Sequence, residues 1–436
     1  MSKIKHSVTL QQELCMGCTH CIKRCPTEAI RVRNGKAVIK EERCIDCGEC
    51  IRICPNHAKR AIHDKLNNFK NYKYKIALPA PALYGQFDKL DDIDYVISGL
   101  YKCGFDDVYE VAKAAEIVSE YTRMYMKNND IVKPVISSAC PVIVRLISVR
   151  FPSLIDNVLP ILPPVELAAR NAKKRALEKH PELTEDDICA IFISPCPAKV
   201  SYARMPIGTE KSAIDGVLAI NDIYFKLVAE MNNIDIPEKS SQSGLIGISW
   251  AGSGGESSAL MNDKYLAADG IENCIHVLDE IEKENFRDLE FVELNACNGG
   301  CVGGALTVEN AYMTKARLQL LRRYLPVALN RLEHNQNGED NVPDEILWDT
   351  SVNYTPVTRL HTTMSEAIKK MAKIQSIRET LCSLDCGSCG APTCQAMAED
   401  IVNGEASIDD CVMNMKNKFM AMTNANAAAD EQHNKK

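Results

Sequence analysis

Short apolar runs of strand length alternate with longer stretches of helical spacing through the middle of the chain. Lys75-Ile76-Ala77-Leu78 and Ala190-Ile191-Phe192-Ile193 read as short buried strands. Pro163-Pro164-Val165-Glu166-Leu167-Ala168-Ala169-Arg170 reads as the start of a helix, because proline is favoured in a first turn. Asn310 to Leu325 and Met364 to Thr380 read as helices from their apolar spacing and good helix formers. Alternation of this kind predicts an α/β domain with mostly parallel strands flanked by helices, over residues 75–378. Residues 1–74 break the pattern. Their first sixty positions hold few large apolar residues and 12 Lys/Arg against 6 Asp/Glu, too little for a core of their own. Bound metal must therefore supply much of that segment's stability. The Ala/Asn-rich, charged tail, placed at 416–436 and clearest from Thr423 on, predicts disorder.

Composition narrows the function classes. The chain has 436 residues, 46% hydrophobic and 25% charged, which is ordinary for a globular protein. A net charge of −7 argues against nucleic acid as a partner, since phosphate contact needs a concentrated basic face. No apolar run approaches the ~18–20 residues that cross a bilayer. Met-Ser-Lys-Ile-Lys-His runs into Gln11 and Gln12 without a signal-peptide core, so a cytoplasmic location is expected. Twenty cysteines are the unusual count. In that compartment they read as metal ligands or redox groups, not as a disulfide framework.

Eight cysteines fall in the first 54 residues, as two C-x-x-C-x-x-C-x-x-x-C-P runs offset by 29 positions and closed by Pro26 and Pro55. This is the spacing of bacterial two-cluster ferredoxins, in which three close thiolates wrap one cubane and the fourth reaches the other. The resemblance implies one 4Fe–4S cluster on Cys15, Cys18, Cys21 and Cys54, and a second on Cys44, Cys47, Cys50 and Cys25. Zinc is the competing ligand set, but it usually takes two C-x₂-C pairs. A pair of clusters is an electron relay, which implies a redox site elsewhere.

Four central cysteines lie in loops rich in Gly and Pro: Ser137-Ser138-Ala139-Cys140-Pro141, Ser194-Pro195-Cys196-Pro197-Ala198-Lys199, and Asn295-Ala296-Cys297-Asn298-Gly299-Gly300-Cys301. Each follows a strand-like run, and open α/β folds place ligands at strand C-terminal ends. The three segments resemble, in order and separation, the cluster-binding motifs of the iron-iron hydrogenases. The resemblance spans residues 1–375. It implies that Cys140, Cys196, Cys297 and Cys301 hold the 4Fe–4S half of an H-cluster. Cys301 would also bridge to a diiron subsite carrying CO, cyanide and an aza-dithiolate. It further implies that Lys199 anchors a cyanide, that the Pro81 backbone faces another, and that Trp250 walls the cavity. Hydrogen and protons are then the substrates, exchanged with a redox partner such as ferredoxin or a signalling protein.

Several positions depart from the high-turnover members. Ala139 stands where they carry a proton-relaying cysteine, and Ser194 and Asn295 stand where they carry methionines. Val165 occupies the place of a glutamine, and the glutamates of their proton path have no secure counterpart around Glu116 and Glu120. One lost general acid/base step costs ~10²–10⁴-fold, which points to a low-turnover enzyme resembling the sensory branch of the family. Two other readings compete: an iron–sulfur electron-transfer protein without the diiron subsite, and an iron–sulfur assembly factor.

Near the C-terminus, Cys386-Gly387-Ser388-Cys389 with Cys394 and Cys411 resembles the small helical four-cysteine 4Fe–4S module of several redox proteins, over residues 379–415. It would bring the total to four such clusters. The expectation is a second electron exit at the opposite end of the chain. The basic N-terminal segment and the acidic segment from 381 on (4 Lys against 8 Asp/Glu) would then favour different partners. Cys103 and Cys189 lie in apolar stretches and read as small core residues.

Overall fold

The computed structural model describes residues 6–127, 131–332, 342–355 and 363–433. Two units divide the chain: Met1–Val8, Ile45–Gly48 and Ala61–Thr355 form the larger, and Thr9–Cys44, Glu49–Arg60 and Pro356–Lys436 the smaller.

Among the described residues of the larger unit, seven parallel strands form two sheets. They are β1 (Tyr74–Pro79), β2 (Asp107–Val108), β3 (Val135–Ile136), β4 (Ile188–Ser194), β5 (Gly216–Ala219), β6 (Tyr265–Asp269) and β7 (Phe291–Asn295). The first sheet runs β2-β1-β4-β5 and the second β6-β7-β3. β4 is buried at every position, as a strand covered on both faces must be. Its residues alternate between two cores. Ile188, Ala190 and Phe192 pack with Ala114 and Val118 of the helix Val111–Met126 and Ala168 and Ala172 of the helix Pro164–Lys179. Cys189, Ile191 and Ile193 pack with Val96 and Leu100 of Asp94–Lys102 and Leu227 of Ile220–Met231. A third core joins Ile136, Val292 and Leu294 of the second sheet to the helices Pro141–Arg150 and Ile271–Glu282. This is the expected α/β architecture. Among the described residues, no helix is long and apolar enough to cross a membrane.

The smaller unit begins with short helices (His20–Lys23, Glu49–Arg52) and a hairpin, Ile30–Arg33 with Lys36–Ile39, whose Asn34-Gly35 turn has both φ angles positive. It also contains the helices Met364–Thr380, Cys394–Val402 and Val412–His433. Three expectations change here. The helix Met364–Thr380 belongs with the C-terminal module, not with the α/β domain that was drawn to residue 378. The stretch read as a disordered tail is helical to His433, and its run of alanines is the physical reason, alanine being the best helix former. The third change is that the cysteine-rich ends of the chain share one unit. Val32 N–H donates to the Gly390 carbonyl at 2.8 Å, so modules at opposite ends of the sequence pack against each other.

Candidate active site and cluster sites

Four loops leave the C-terminal ends of β1, β3, β4 and β7 and line one cavity in the larger unit. β1 delivers Ala80 and Pro81, β3 delivers Ala139 and Cys140, β4 delivers Pro195 and Cys196, and β7 delivers Asn295, Cys297 and Cys301. Lys199, Trp250, Glu256 and Glu293 complete the wall. Cys140 and Cys196 are each the N-cap residue of a helix that opens on proline, Pro141–Arg150 and Pro197–Arg204. Their sulfurs therefore stand where backbone N–H groups and the helix dipole favour negative charge. Glycine permits the close approach of the Cys301 loop. A Cβ on Gly304 would stand 2.2 Å from the Pro195 carbonyl, and one on Gly300, at φ +91°, 2.5 Å from the Ser253 nitrogen.

The four thiols share one electrostatic environment. Burial pushes the Cys196 thiol well up, and Cys297 and Cys140 push it further, while Lys199 opposes them. Cys301 is pushed up to about 12 by burial, against the pull of Lys199, with Cys297 and Cys140 adding to the rise. Cys196 and Cys301 resist ionising alone, and with Cys140 and Cys297 they are gathered in an apolar cavity beside an ammonium, which suits a bound cationic centre that takes sulfurs as thiolates. Lys199 Nζ lies 5.9 Å over the Phe192 ring, on the same wall. Trp250 lines the cavity and donates its indole N–H to Ser119 Oγ at 3.0 Å.

Two of the expected residues behave differently from their neighbours. Ser194 is fully buried and folds back on the Cys196 backbone, accepting from its N–H and donating to its carbonyl, both at 3.1 Å. It shapes the loop and is not on the cavity wall. Asn295 is on the wall, but its amide donates to Glu293 Oε1 at 2.8 Å. Val165 sits in the apolar core and lines a small adjoining cavity with Ala139 and Lys199. Glu116 is a backbone anchor, accepting from the N–H groups of Gly244, Leu329 and Asn330.

The carboxylates that do reach the cavity are Glu256 and Glu293, 4% and 3% exposed. Ser137 Oγ donates to Glu256 at 2.6 Å, while Glu293 accepts from Gly254 N, Ser257 N and Asn295. Burial raises the Glu256 pKa, and the Glu293 charge raises it further. Burial raises Glu293 as well, against its three hydrogen-bond donors. Sequence reading missed this pair. Its one visible signal is a lone acid inside the apolar run Phe291-Val292-Glu293-Leu294. Cys274 was also unassigned; it is fully buried and donates to the Asn295 carbonyl at 3.3 Å.

The N-terminal cysteines fall in both units. In the larger, Cys47 packs into the same apolar core as Cys196 and Cys140. The next residue, Gly48, sits so close to Pro197 and Ala305 that a Cβ would meet them at 3.2 and 2.8 Å. In the smaller, burial pushes the Cys21 thiol up to about 11; Lys59 pulls it down, and Cys18, Cys15 and Cys54 raise it. Those three thiols are thus near enough to Cys21 to disfavour its charge. Lys59 beside them is 2% exposed, and its ammonium has no hydrogen-bond partner among the described residues. An anionic centre on those sulfurs would supply the missing countercharge. Cys25, Cys44 and Cys50 also belong to the smaller unit. Cys386, Cys389, Cys394 and Cys411 line one pocket there, joined by Cys382. Cys103 and Cys189 are core residues, 4% and 0% exposed.

The family described as iron only hydrogenase large subunit, C-terminal domain, matches residues 73–261 and 253–305, more than half of the chain. The chain belongs to the iron-only hydrogenase family. A 4Fe-4S dicluster domain matches residues 7–55 and an Fe-S cluster family residues 383–413, so this hydrogenase-like chain is an iron–sulfur redox protein. Among solved structures, it is similar to a HydA(deltaEFG) [FeFe]-hydrogenase described in stepwise H-cluster assembly. That likeness has 17% identity over 59% of this chain and 86% of that one, with a TM-score of 0.44. An [FeFe]-hydrogenase described for oxygen inactivation through its H cluster 2Fe subcluster matches at 17% identity. It covers 67% of this chain and 97% of that one, with a TM-score of 0.46. An apo HydA1 variant from Chlamydomonas reinhardtii matches at 16% identity over 61% and 88%, with a TM-score of 0.45.

Proposed function

We propose that this iron-only hydrogenase family member binds hydrogen at an H-cluster and turns it over slowly, as a hydrogen or redox sensor. The observation that carries this reading is the gathering of Cys140, Cys196, Cys297 and Cys301 on one cavity with Lys199. Those cysteines would hold a 4Fe–4S cluster, with Cys301 bridging to a diiron subsite bearing CO, cyanide and an aza-dithiolate. When bound, that group supplies the open metal position at which hydrogen is split or formed.

The chain's own residues account for the rest. Lys199 offers three N–H donors to an anionic ligand in an otherwise apolar cavity, where a charge-assisted bond is strong. Pro81 and Trp250 add apolar surface to the wall. Ala139 has no proton to give, and the carboxyls on the cavity wall that can hold one are Glu256 and Glu293. Their raised pKa values keep a proton on the pair near neutral pH, with Ser137 orienting Glu256. Proton exchange through a buried pair is workable but slower than through a thiol on the reacting face, in keeping with sensing.

Cys15, Cys18, Cys21 and Cys54 would hold one N-terminal 4Fe–4S cluster, Cys25, Cys44, Cys47 and Cys50 the second, and Cys386, Cys389, Cys394 and Cys411 the fourth cubane of the chain. Cys47 itself packs in the apolar core that holds Cys196. The outer partner is a one-electron carrier such as ferredoxin, or a signalling protein. Loading the diiron cofactor into the full chain is expected to give infrared bands from metal-bound CO and cyanide. Their absence after competent maturation would instead support an electron-transfer protein without the subsite.

A further inference from the structure

The buried carboxylate of Asp400 has no part in the hydrogen site, yet among the described residues of the smaller unit it is paired with three cations. It is 0% exposed and sits in the helix Cys394–Val402, which begins at a predicted cluster ligand. Arg31 Nε reaches it at 2.6 Å, Arg33 Nη2 at 2.5 Å and Lys40 Nζ at 2.9 Å. Arg31 and Arg33 lie in the hairpin of the N-terminal module, and Lys40 directly follows it. Arg43 pairs with Glu399 at 3.0 Å, and Lys40 also with Glu405 at 2.8 Å. The opposite charges of the two ends of the chain therefore neutralise each other instead of facing different partners.

Backbone contacts bring the cysteine loops themselves into this interface. Arg33 Nη1 donates to the Cys389 carbonyl at 3.1 Å, and Lys23 Nζ donates to the carbonyls of Asp385 and Pro392. Gly387 lies on the Lys23 side chain, and a Cβ there would be 3.4 Å from Ile22 Cδ1. Ile22 follows Cys21, and Gly387 follows Cys386, so each contacting residue is the immediate neighbour of a predicted ligand. At Gly390, φ +80°, a Cβ would stand 2.0 Å from the Val32 carbonyl, so only glycine lets the loop lie along the hairpin.

We propose that Asp400, Glu399 and the glycines Gly387 and Gly390 dock the C-terminal cluster site onto the N-terminal one as an internal electron-transfer pair. This rests on the reading that Cys386, Cys389, Cys394 and Cys411 hold a 4Fe–4S cluster. The step is a one-electron exchange: a reduced cubane on one side loses an electron and an oxidised cubane on the other gains it. No bond forms and no proton moves, and the electron enters from a low-potential one-electron carrier. Electrons that reach the C-terminal site are thereby relayed through Cys21 and its neighbours.

The test uses the full chain with its iron–sulfur clusters but without the diiron cofactor, so activity is not the readout. In dithionite-reduced protein, the electron paramagnetic resonance of the N-terminal clusters is expected to lose a broadened, fast-relaxing component in Cys389→Ser. Glu399→Arg is expected to weaken that component and to speed amide exchange at Val32 by at least about tenfold. The charge swap Arg43→Glu with Glu399→Arg is expected to restore both, which misfolding of a single variant would not do. An unchanged spectrum in Cys389→Ser, with one cluster's iron lost, overturns the pairing alone. No loss of iron in that variant overturns the cluster assignment and the pairing with it. Unchanged exchange at Val32 in Glu399→Arg overturns the docking.

Discussion

The Ser137 hydroxyl donates a 2.6 Å hydrogen bond to the Glu256 carboxylate, two residues before Ala139 on the same cavity-lining loop. A proton acceptor thus stands near the position where the thiol relay of other family members is missing. If Glu256 carries the proton, Glu256→Gln is expected to lower hydrogen turnover by ~10²–10⁴-fold, the worth of one general acid/base step. The infrared bands of the loaded site should persist. A variant that keeps wild-type turnover would remove the carboxyl pair from the path.

The same pair fixes a pH dependence. Both carboxyls are raised above the ordinary carboxylate value of about 4.3 by burial and, for Glu256, by the Glu293 charge. The folded state therefore holds more protons than the unfolded one in the window above pH ~4.3, and stability declines as pH rises through it. Glu256→Gln is expected to flatten that decline in denaturant midpoints measured from pH 5 to pH 9. A decline of unchanged slope would contradict the assignment.

Ala139→Cys places a thiol on the cavity wall but leaves Glu116 tied to three backbone N–H groups. Alone it is expected to raise turnover by less than about tenfold, short of the ~10²–10⁴ of a complete relay. Steady-state hydrogen evolution decides between the two.

Lys59, buried beside Cys21 without a hydrogen-bond partner among the described residues, favours the more negative, reduced form of a cluster there. Lys59→Met is expected to lower that cluster's reduction potential by tens of millivolts, about 59 mV for each tenfold change in a one-electron equilibrium. A potentiometric resonance titration of the full chain measures it.

Asp400 gives a pH dependence of opposite sign. Burial raises its pKa, but Arg31 and Lys40 outweigh that and hold it below the ordinary value. Its contribution is thus fully present above the unfolded value of about 3.9 and is lost as pH falls through the lower folded value. Exchange protection of the helix Cys394–Val402 should stay level from pH 5 to pH 8 in the native chain. Asp400→Asn should lose about 3–5 kcal/mol of it throughout, because Arg31 is left buried with its charge unanswered.

Cysteine spacing made the clusters legible, because a cubane dictates where its ligands fall along the chain. Strand Ile188–Ser194 was legible for a similar reason, being apolar at nearly every position. Glu256 was not, since its meaning depends on Glu293, 37 positions away on a strand, a neighbour that no local pattern encodes. The charge contrast between the chain ends was visible, but only folding reveals that Arg31 answers Asp400 and not an outside surface. Ser194 was read as a cavity residue from its place in a motif, yet its hydroxyl is satisfied by the Cys196 backbone.

Arg31 and Asp400 are separated by 369 positions, nearly the whole chain. At ribosomal rates of roughly 5–20 residues per second, the basic hairpin waits about 20–70 s for its acidic cover. Every nascent chain therefore passes through a stage in which this cationic surface is open, and any synthesis that stops early leaves it so. Completion of the polypeptide is what closes that electrostatic gap.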